Sequence, residues 1–255
     1  MKTDWSERAF SLERADVQSP IVLVCEHASP FIPETLENLG LPDALRETHI
    51  AWDPGAMDVA KRLSNKLGAS LISGGVSRLV YDCNRPPGAV GAIPEESEIF
   101  DVPGNRGLSE QERKVRADLV YHPFHSALAK LLKSRDATPV LVTIHSFTPV
   151  YFGQKRETEI GILHDKDARL ADAMLQSAET QARQWKVERN APYGPQDGVT
   201  HTLQRHALPN RLLNVMIEVR NDLLKTPLDR ELIANVLSDW VLLAMRSCAV
   251  SEATS

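Results

Sequence analysis

Three short apolar runs constrain the fold of this chain most, because each of them ends in polar side chains. The runs are Ile21–Cys25, Pro139–Ile144 and Leu212–Ile217. The polar residues that follow them are Glu26, His27, His145 and Glu218. Continuous apolar runs are typical of strands that a parallel sheet buries on both faces. In open α/β sheets the ligand crevice lies beyond the carboxyl ends of the strands, so the sequence predicts a site there.

The pattern around these runs predicts a three-layer α/β fold, with a mostly parallel mixed sheet and helices on both faces. Asp53-Pro54-Gly55 is a helix-start signal, and the helix should end at Gly68, just before a strand at 69–72. A strand, a helix and a strand in this order favour parallel pairing. We expect the three apolar runs to be the central strands. Further elements are predicted at 158–163 (strand), 167–183 (helix) and 229–247 (helix).

The middle of the chain contains a long loop. Arg78–Asp82 is predicted to be a short strand, and the segment 86–108 after it is rich in Pro, Gly and acidic residues. Loops of this length in compact domains are usually lids or binding loops, which we predict here. Ser109–Glu112 is a capping box that begins a long helix, which Pro123 should kink or divide. Because no repeat or linker interrupts the sequence, residues 1–255 are predicted to form a single domain.

Charge and cysteine content exclude some classes of protein. The 255 residues carry a formal net charge of −5, whereas nucleic-acid-binding proteins usually carry a basic stripe. The three cysteines form no CxxC pair, which is typical of a reduced, cytosolic protein. The N-terminus lacks an apolar signal core, and no run approaches the roughly 18 apolar residues of a membrane span. We therefore expect a cytoplasmic protein whose partner is a small molecule, not a nucleic acid or a membrane.

Two strand-end histidines make a metal site the first hypothesis. Catalytic zinc sites combine imidazole and carboxylate donors and keep one coordination position open. His27 and His145 would reach the same sheet edge from separate strands. Either histidine alone could equally be a hydrogen-bonded loop residue, so the pair carries the hypothesis. His122 and His125 also form an HxxH pair, for which packing within a helix is the more ordinary role.

A cluster of arginines suggests a substrate that carries a carboxylate. Arg78, Asn84 and Arg85 lie around a predicted turn, and Arg220 lies two residues after Glu218. Arginine binds carboxylates through two parallel hydrogen bonds. Each arginine alone could instead form a surface salt bridge. Together they predict a binding site for a small carboxylate.

Three segments resemble those of known enzymes. Asp82–Arg85 resembles the substrate-binding Asn-Arg pair of zinc-dependent carboxypeptidases and aspartoacylases. In the same families, Thr143–Phe147 resembles the histidine-ligand strand and Ile217–Asp222 the catalytic-glutamate strand. The N-formylglutamate amidohydrolase family is more similar still, from about Ile21 to Asp222. This resemblance covers nearly the whole predicted domain.

The resemblance implies a phosphorylase/hydrolase-like fold of the zinc-exopeptidase type, with Zn²⁺ or another divalent metal as cofactor. It also implies residue roles. His27 and His145 would be metal ligands. The residues implied to contact substrate are Asn84, Arg85, Asn105 in the loop 103–109, and His206.

One departure from the carboxypeptidase pattern leaves the third ligand open. That pattern is His-x-x-Glu, but the third residue after His27 is Pro30. Asp53, just ahead of the first helix, is our first candidate for the missing carboxylate, and Glu26 is the second. Asp53 could instead only cap the helix, and Glu26 could instead pair with an arginine.

Glu218 is predicted to act in catalysis rather than in ligation. A metal-activated water needs a general base within hydrogen-bond reach, which later passes the proton to the leaving amine. The strand-end position and the resemblance to the catalytic-glutamate strand support this role. The alternative is a purely structural ion pair between Glu218 and Arg220.

Three functional hypotheses follow. The first is a metal-dependent amidohydrolase that cleaves the amide of an N-acylated amino acid such as N-formylglutamate. The second is a related metallohydrolase of a small peptide or a cell-wall fragment, and the third is a non-catalytic small-molecule-binding protein on the same fold. The set of His27, His145 and Glu218 favours an enzyme. The sequence contains no GxSxG elbow, Walker loop or GxGxxG motif, which argues against serine hydrolases and nucleotide-binding folds.

Overall fold

The computed structural model describes residue 5 and residues 8–253 of the chain. The strands in this part are β1 (Phe10–Glu13), β2 (Ile21–Cys25), β3 (Ser70–Gly74), β4 (Glu96–Ser97), β5 (Phe100–Asp101), β6 (Val140–Phe147), β7 (Val150–Tyr151), β8 (Gln154–Lys155), β9 (Ile160–Leu163), β10 (Val187–Arg189) and β11 (Asn214–Arg220). The α-helices are α1 (Asp43–Arg46), α2 (Ala56–Leu67), α3 (Glu110–Arg116), α4 (His122–Lys133), α5 (Arg169–Gln176), α6 (Ala178–Gln181) and α7 (Pro227–Ala253).

Seven strands form one mixed sheet in the order β1-β3-β2-β6-β11-β9-β10. Neighbouring strands are parallel except for β1 with β3 and β11 with β9. The three apolar runs are β2, β6 and β11, and they lie side by side in the middle of the sheet, which confirms the prediction. Their carboxyl ends therefore meet at one edge. In register, Glu218 lies opposite His145 across the β6–β11 pair.

Each face of the sheet has its own apolar core, which confirms the three-layer architecture. Ile144 and Ile217 belong to the core formed with α2, α5 and α7, whereas Phe124 of α4 belongs to the core on the other face. Successive side chains of a strand point to opposite faces. His145 and Glu218 therefore lie on the face of the sheet that α4 covers.

One local prediction is wrong, and one of the two outcomes predicted at Pro123 does not occur. Arg78–Asp82 is not a strand, because the chain turns there and the Val80 amide bonds to the Ser77 carbonyl at 2.9 Å. Pro123 does not divide its helix either. The helix runs continuously from α3 into α4 through one wide π turn at Ala117–Tyr121. A π turn changes the backbone hydrogen-bond register, so the helix accommodates a proline that has no amide hydrogen.

Two β-hairpins lie close together near the carboxyl edge of the sheet. The β4–β5 hairpin belongs to the segment 86–108, and the β7–β8 hairpin directly follows β6. Glu98, in the turn of the first hairpin, accepts a hydrogen bond of 2.8 Å from the Phe152 amide in the turn of the second. The two hairpins are thus joined through their turns.

One helix of the described chain, within α7 at Pro227–Val250, is long and apolar enough to cross a membrane by length and composition. Ile233, Leu237 and Trp240 of this helix are buried in the core beside α2 and α5. Core helices of globular domains meet the same criterion, so this helix is only weak evidence of a membrane span.

Candidate active site

A cavity of about 460 Å³ opens at the carboxyl ends of β2, β6 and β11. Small-molecule sites usually measure about 300–1,000 Å³. Most of the residues that the sequence singles out line this cavity, namely His27, Asp53, Arg78, Asn84, Arg85, His145 and Glu218. Glu26 lies buried beside His145. A larger groove of about 890 Å³, lined by the segment 87–96 and α3, contains none of these residues.

Three buried donors converge inside the cavity. Asp53 Oδ2 lies 3.3 Å from His27 Nδ1 and 2.9 Å from His145 Nδ1. One ligand atom of each residue lies within 4.8 Å of the other two. Tetrahedral zinc, with bonds of about 2.0–2.1 Å, places its donors about 3.3 Å apart, and these spacings are similar. The group of His27, Asp53 and His145 could therefore hold a metal ion.

Two further carboxylates contact the outer nitrogens of the imidazole rings. Asp82 Oδ1 lies 2.7 Å from His27 Nε2, and Glu26 Oε2 lies 3.0 Å from His145 Nε2. Metal-bound histidines ordinarily donate their second N–H to such a carboxylate, which leaves the other ring nitrogen free to bind the metal. Asp53 thus contacts the Nδ1 atoms of both rings, whereas Glu26 contacts the opposite nitrogen of one ring, so only Asp53 belongs to the group of three that could hold a metal.

The charges of this cluster fit a bound cation. Burial alone would raise the pKa of Glu26, but the neighbouring His145 imidazole lowers it to about 2. The pKa of Asp53 is likewise lowered by His27 and His145 against the effect of burial. Conversely, burial would lower the pKa of His145, but Glu26 and Asp53 raise it well above its usual range. The buried carboxylates therefore favour positive charge on or between the two rings, which a divalent metal supplies.

Asp53 does not act as a helix cap. The residue before α2 is Gly55, in a left-handed conformation with φ of 84°, and no side chain caps the helix. The Asp53 amide instead donates to the His27 carbonyl at 2.9 Å, and the Ser146 amide donates to Asp53 Oδ2 at 3.3 Å. The backbone of β6 thus orients the carboxylate toward the histidines.

Glu218 lies in the cavity but outside the group of three donors. Its side chain is buried, and its Oε2 atom has no hydrogen-bond partner among the described residues. Burial raises the pKa of Glu218; the charge of Asp53 adds to this increase and that of His145 opposes it. A raised carboxyl pKa brings proton uptake and release nearer to neutral pH, as general acid–base catalysis requires.

Arg78 and Arg85, the two arginines of the cavity that the sequence singled out, differ in how their charge is neutralised. Arg78 contacts Asp82 at 3.1 Å and Asp53 at 3.6 Å, so its charge is balanced by carboxylates of the site. Arg85 donates to the backbone carbonyl of Asp197, and no carboxylate of the described chain pairs with it. Arg85 is therefore the more available of the two for an anionic ligand.

Asn84 holds two loops together at the edge of the cavity. Its Oδ1 accepts a hydrogen bond of 3.0 Å from the Thr202 amide, and its Nδ2 donates to the Val199 carbonyl. The Asn84 amide donates to Asp82 Oδ1 at 2.8 Å, the same oxygen that contacts His27. Asn84 thus positions Asp82 as well as bordering the cavity.

Asn105 does not lie in the cavity. Its Nδ2 donates to the carbonyls of Leu79 at 2.8 Å and Pro94 at 2.7 Å, and its Oδ1 accepts from Arg116 at 2.6 Å. The side chain is fully buried, so these bonds consume the polar atoms that the sequence prediction reserved for substrate. Asn105 instead supports the segment that leads to the cavity.

Replacing Asn105 by alanine is expected to lower the free energy of unfolding by about 1–3 kcal/mol, because buried polar groups lose their partners. KM should stay unchanged, since the residue does not reach the cavity. Urea unfolding and steady-state kinetics measure the two effects. Asn65, whose exposed side chain accepts a hydrogen bond of 2.8 Å from Arg14, gives the control, and Asn65→Ala should cost less than about 0.5 kcal/mol. A raised KM with an unchanged free energy of unfolding would instead indicate that Asn105 contacts the substrate.

His206 belongs to a second buried cluster of histidines. His125 Nε2 lies 2.8 Å from the Cys83 carbonyl and must donate to it, because a carbonyl only accepts. The opposite nitrogen, His125 Nδ1, therefore accepts from His206 Nε2 at 2.8 Å. Beside this pair, His201 Nε2 lies 2.7 Å from the Tyr121 hydroxyl. His206 thus reaches the site only indirectly, through the backbone of Cys83.

This cluster should make the fold sensitive to acid. Burial lowers the pKa of His125 to about 3 and of His206 to about 4, whereas an unfolded histidine titrates near 6.5. As pH falls below about 6.5, the unfolded state binds protons that the folded state does not. The free energy of unfolding therefore has its full value above about pH 6.5 and falls progressively as the pH decreases toward about 4.

Urea unfolding at about pH 7.5 and about pH 5 tests this sensitivity. From about pH 7.5 to about pH 5, the free energy of unfolding of His206→Gln should fall by about 1–2 kcal/mol less than that of the wild type. His122→Gln is the control, because His122 is 52 % exposed and lies 3.8 Å from Asp118 at the surface. If both variants lose as much stability as the wild type, the cluster does not cause the acid sensitivity.

Arg220 also lies outside the cavity. It pairs with Asp222 at 2.8 Å and with Glu159 at 3.2 Å, and it donates to the Arg156 carbonyl at 3.1 Å. Neither the predicted substrate contact of Arg220 nor its alternative pairing with Glu218 is present. Its guanidinium instead fixes the chain between β8 and β9.

Several cavity residues carry no signal that the sequence interpretation used. Asp82 contacts His27, Arg156 and Tyr193 line one part of the wall, and His49 pairs with Glu98 at 2.8 Å. For Asp82, the sequence offers one signal, namely its position two residues before Asn84. The remaining four come from separate loops that only the fold brings together.

The fold and the site together define a class of protein. A central parallel sheet carries, at its carboxyl edge, a buried group of two histidines and one carboxylate beside an unpaired glutamate, as hydrolases do. The chain belongs to the N-formylglutamate amidohydrolase family, whose model matches residues 19–225. This confirms the resemblance seen in the sequence, and the protein is a hydrolase of amide carbon–nitrogen bonds.

Two solved structures are similar to nearly the whole chain. The gene product Atu2144 from Agrobacterium tumefaciens is 51% identical, with a TM-score of 0.92 and coverage of 96% of this chain and 98% of that one. The N-formylglutamate amidohydrolase from Ralstonia eutropha JMP134 is 20% identical, with a TM-score of 0.63 and coverage of 96% and 99%. This second likeness supports the fold. No curated protein sequence matches the chain significantly.

Proposed function

We propose that this protein is a metal-dependent amidohydrolase that cleaves the amide of an N-acyl amino acid such as N-formylglutamate. One observation carries the proposal: a buried group of three metal-type donors shares a cavity with Glu218 and Arg85, and among the described residues Glu218 Oε2 has no hydrogen-bond partner and Arg85 no acidic partner. This combination supplies a cation site, a proton acceptor and an anion-binding group within one small volume. Family membership supports the reaction type.

His27, Asp53 and His145 would hold a zinc ion, since imidazole and carboxylate are its usual donors. When bound, zinc supplies Lewis acidity that polarises the amide carbonyl and lowers the pKa of water to about 7. Asp82 and Glu26 keep the outer ring nitrogens protonated, so that both Nδ1 atoms face the cavity as lone pairs.

Glu218 accepts the proton of the attacking water and then delivers it to the leaving nitrogen. Its free Oε2 atom is the acceptor, and its raised pKa lets the carboxyl hold the proton between the two transfers. The same residue serves first as base and then as acid, because the proton that it takes from water is the one that the leaving nitrogen needs. The C–N bond then breaks, the amine leaves as a neutral amine that carries this proton, and Glu218 returns to its ionised form.

Arg85 binds a carboxylate of the substrate, and Asn84 keeps the turn that carries Arg85 in place. Arg78 contributes positive charge but is already paired with Asp53 and Asp82. The segment 86–108 borders the entrance through Ser97 and Glu98, which suits the predicted role as a lid or binding loop. Asn105, His206 and Arg220 have no part in this proposal.

We also place the protein in a reducing compartment such as the cytoplasm. The three cysteines are buried thiols. Such thiols persist where disulfides do not form. Burial raises the pKa of Cys25 and Cys83, which keeps both thiols protonated and unreactive.

The test measures formate release from N-formyl-L-glutamate by protein stripped of metal with a chelator and then reloaded with zinc. We expect no activity in the stripped protein and full recovery with zinc. N-formyl-L-methionine, N-acetyl-L-glutamate and a glutamyl dipeptide define the acyl group and the amino acid. Absence of hydrolysis of all four compounds by the zinc-loaded protein, or unchanged activity after complete metal removal, would contradict the proposal.

A further inference from the structure

Arg156 lies among three aromatic rings in the wall of the cavity. Its guanidinium carbon is 4.3 Å from the centre of the Tyr151 ring, 4.7 Å from that of Tyr193 and 5.6 Å from that of Phe147. Cations within about 6 Å of a ring centre are attracted to its face. The rings therefore hold the guanidinium in one place without neutralising its charge.

The backbone of Arg156 is fixed as firmly as its side chain. The Arg156 amide donates to the Pro149 carbonyl at 2.8 Å. The Arg156 carbonyl accepts from Arg220 at 3.1 Å, so Arg220 positions this residue. A side chain held at both ends loses little conformational entropy when it binds a ligand.

No carboxylate of the described chain pairs with Arg156, in contrast to Arg78 and Arg220, which each contact two. The guanidinium donates to neutral groups, with a long contact of 3.4 Å to the Thr148 carbonyl and a hydrogen bond to the Tyr193 hydroxyl. Its planar set of donors matches the two oxygens of a carboxylate. A fixed, unneutralised guanidinium facing a small cavity is a binding site for an anion.

Arg85 and Arg156 occupy different parts of the cavity. The Arg85 amide donates to the carbonyl of Asp82 at 3.0 Å, and the Asp82 carboxylate contacts His27, so Arg85 begins beside the metal-type donors. Arg156 lies instead among the rings of the β7–β8 hairpin and Tyr193. In an N-acyl amino acid, the α-carboxylate is nearer to the amide than a side-chain carboxylate. Arg85 therefore suits the α-carboxylate, and Arg156 suits the carboxylate of the side chain.

We propose that Arg156 binds the side-chain carboxylate of an acidic N-acyl amino acid and thereby makes the enzyme prefer acidic over neutral substrates. This inference rests on the proposed function. The three rings also provide an apolar wall for the methylene groups of the same side chain. Arg156 is thus a specificity residue rather than part of the proton-transfer machinery.

The test compares Arg156→Met with the wild type on N-formyl-L-glutamate and N-formyl-L-methionine. We expect kcat/KM for formylglutamate to fall about 10–100-fold, mainly through KM, because one charge-assisted contact is lost. For formylmethionine the change should be less than about 3-fold, since uncharged side chains do not use that contact. Arg156→Lys keeps the charge but loses the planar donors, so its kcat/KM for formylglutamate should lie between those of the wild type and Arg156→Met.

Lys155→Met is the matched control. Lys155 is the adjacent residue, is 73 % exposed and pairs with Glu157 at 3.6 Å, so the same charge is removed outside the cavity. The substrate preference of Lys155→Met should equal that of the wild type. Binding of formylglutamate to Glu218→Gln protein, measured by calorimetry with and without Arg156→Met, gives a readout that does not depend on turnover.

The outcomes separate this inference from the proposed function. A wild type that hydrolyses both substrates, with a preference that Arg156→Met leaves unchanged, overturns only the role of Arg156. A wild type with no preference for formylglutamate also overturns it. A wild type that hydrolyses neither compound overturns the proposed function itself. Loss of preference in Arg156→Met but not in Lys155→Met supports the inference.

Discussion

Replacing Glu218 by glutamine is expected to lower kcat for N-formylglutamate by about 10²–10⁴-fold, the usual cost of losing a positioned general base. Glutamine has the same shape but cannot take up the proton. Since Glu218 is not one of the three converging donors, the metal content and the affinity for substrate should stay near those of the wild type. Steady-state kinetics, metal analysis and calorimetric titration measure the three quantities.

Glu159→Gln provides the control for this substitution. Glu159 pairs with Arg220 at 3.2 Å and does not line the cavity, so its removal should leave kcat within about 3-fold of the wild type. Two results would contradict the role of Glu218. Near-normal kcat in Glu218→Gln would show that another group transfers the proton. Loss of metal would show that Glu218 is a ligand.

Asp53→Ala is expected to abolish metal binding, whereas Glu26→Gln should only weaken it. Among the described residues, Asp53 Oδ2 is the one carboxylate oxygen that contacts both Nδ1 atoms of His27 and His145, so none of them replaces it. Glu26 contacts the outer nitrogen of His145, and mutation of such partners typically costs about 10–100-fold in metal affinity. The order of the two effects separates ligand from supporting residue.

Zinc titration followed by thermal unfolding measures this order without any assay of activity. Zinc should raise the unfolding temperature of the wild type and of Glu26→Gln, since a ligand that binds the folded state stabilises it. Asp53→Ala should show no increase. Stoichiometric zinc in Asp53→Ala, or equal losses in the two variants, would reverse the assignment of the third ligand.

The sequence predicts the central strands and the residues at their ends well, for a physical reason. β2, β6 and β11 are continuous apolar runs, so their burial and their parallel pairing follow from composition. His27, His145 and Glu218 lie at the ends of these strands, and parallel strands bring their carboxyl ends to one edge. Local sequence and tertiary structure therefore agree at these positions.

Other parts of the site depend on the paths of loops and the orientation of long side chains, which the local sequence does not determine. Asp82 contacts His27 only because residues 77–82 form turns instead of the predicted strand. Arg220 follows Glu218 by two residues, which suggests a shared face, but its long side chain reaches Glu159 and the carbonyl of Arg156 instead. Long side chains at strand ends can bind whichever loop the fold places beside them.

Asn105 and His206 show a related limit. Both match family positions, yet their side chains form buried hydrogen bonds to Arg116 and His125, away from the cavity. Residues that hold a loop in place resemble ligand-binding residues in sequence, because both kinds are polar. Only the partner of each polar atom separates the two roles.

The contact between the two hairpins has a consequence for how such an enzyme can acquire new substrates. His145 and Glu218 lie on the main sheet, whereas the turns joined by Glu98 and Phe152 belong to two hairpins outside that sheet, whose lengths can change independently of it. Exchanging both hairpins together would alter the width of the entrance and keep the hydrogen bond between them. Exchanging one hairpin alone would leave the other without its partner. The pair is therefore the unit to transplant when the selectivity of this scaffold is redesigned.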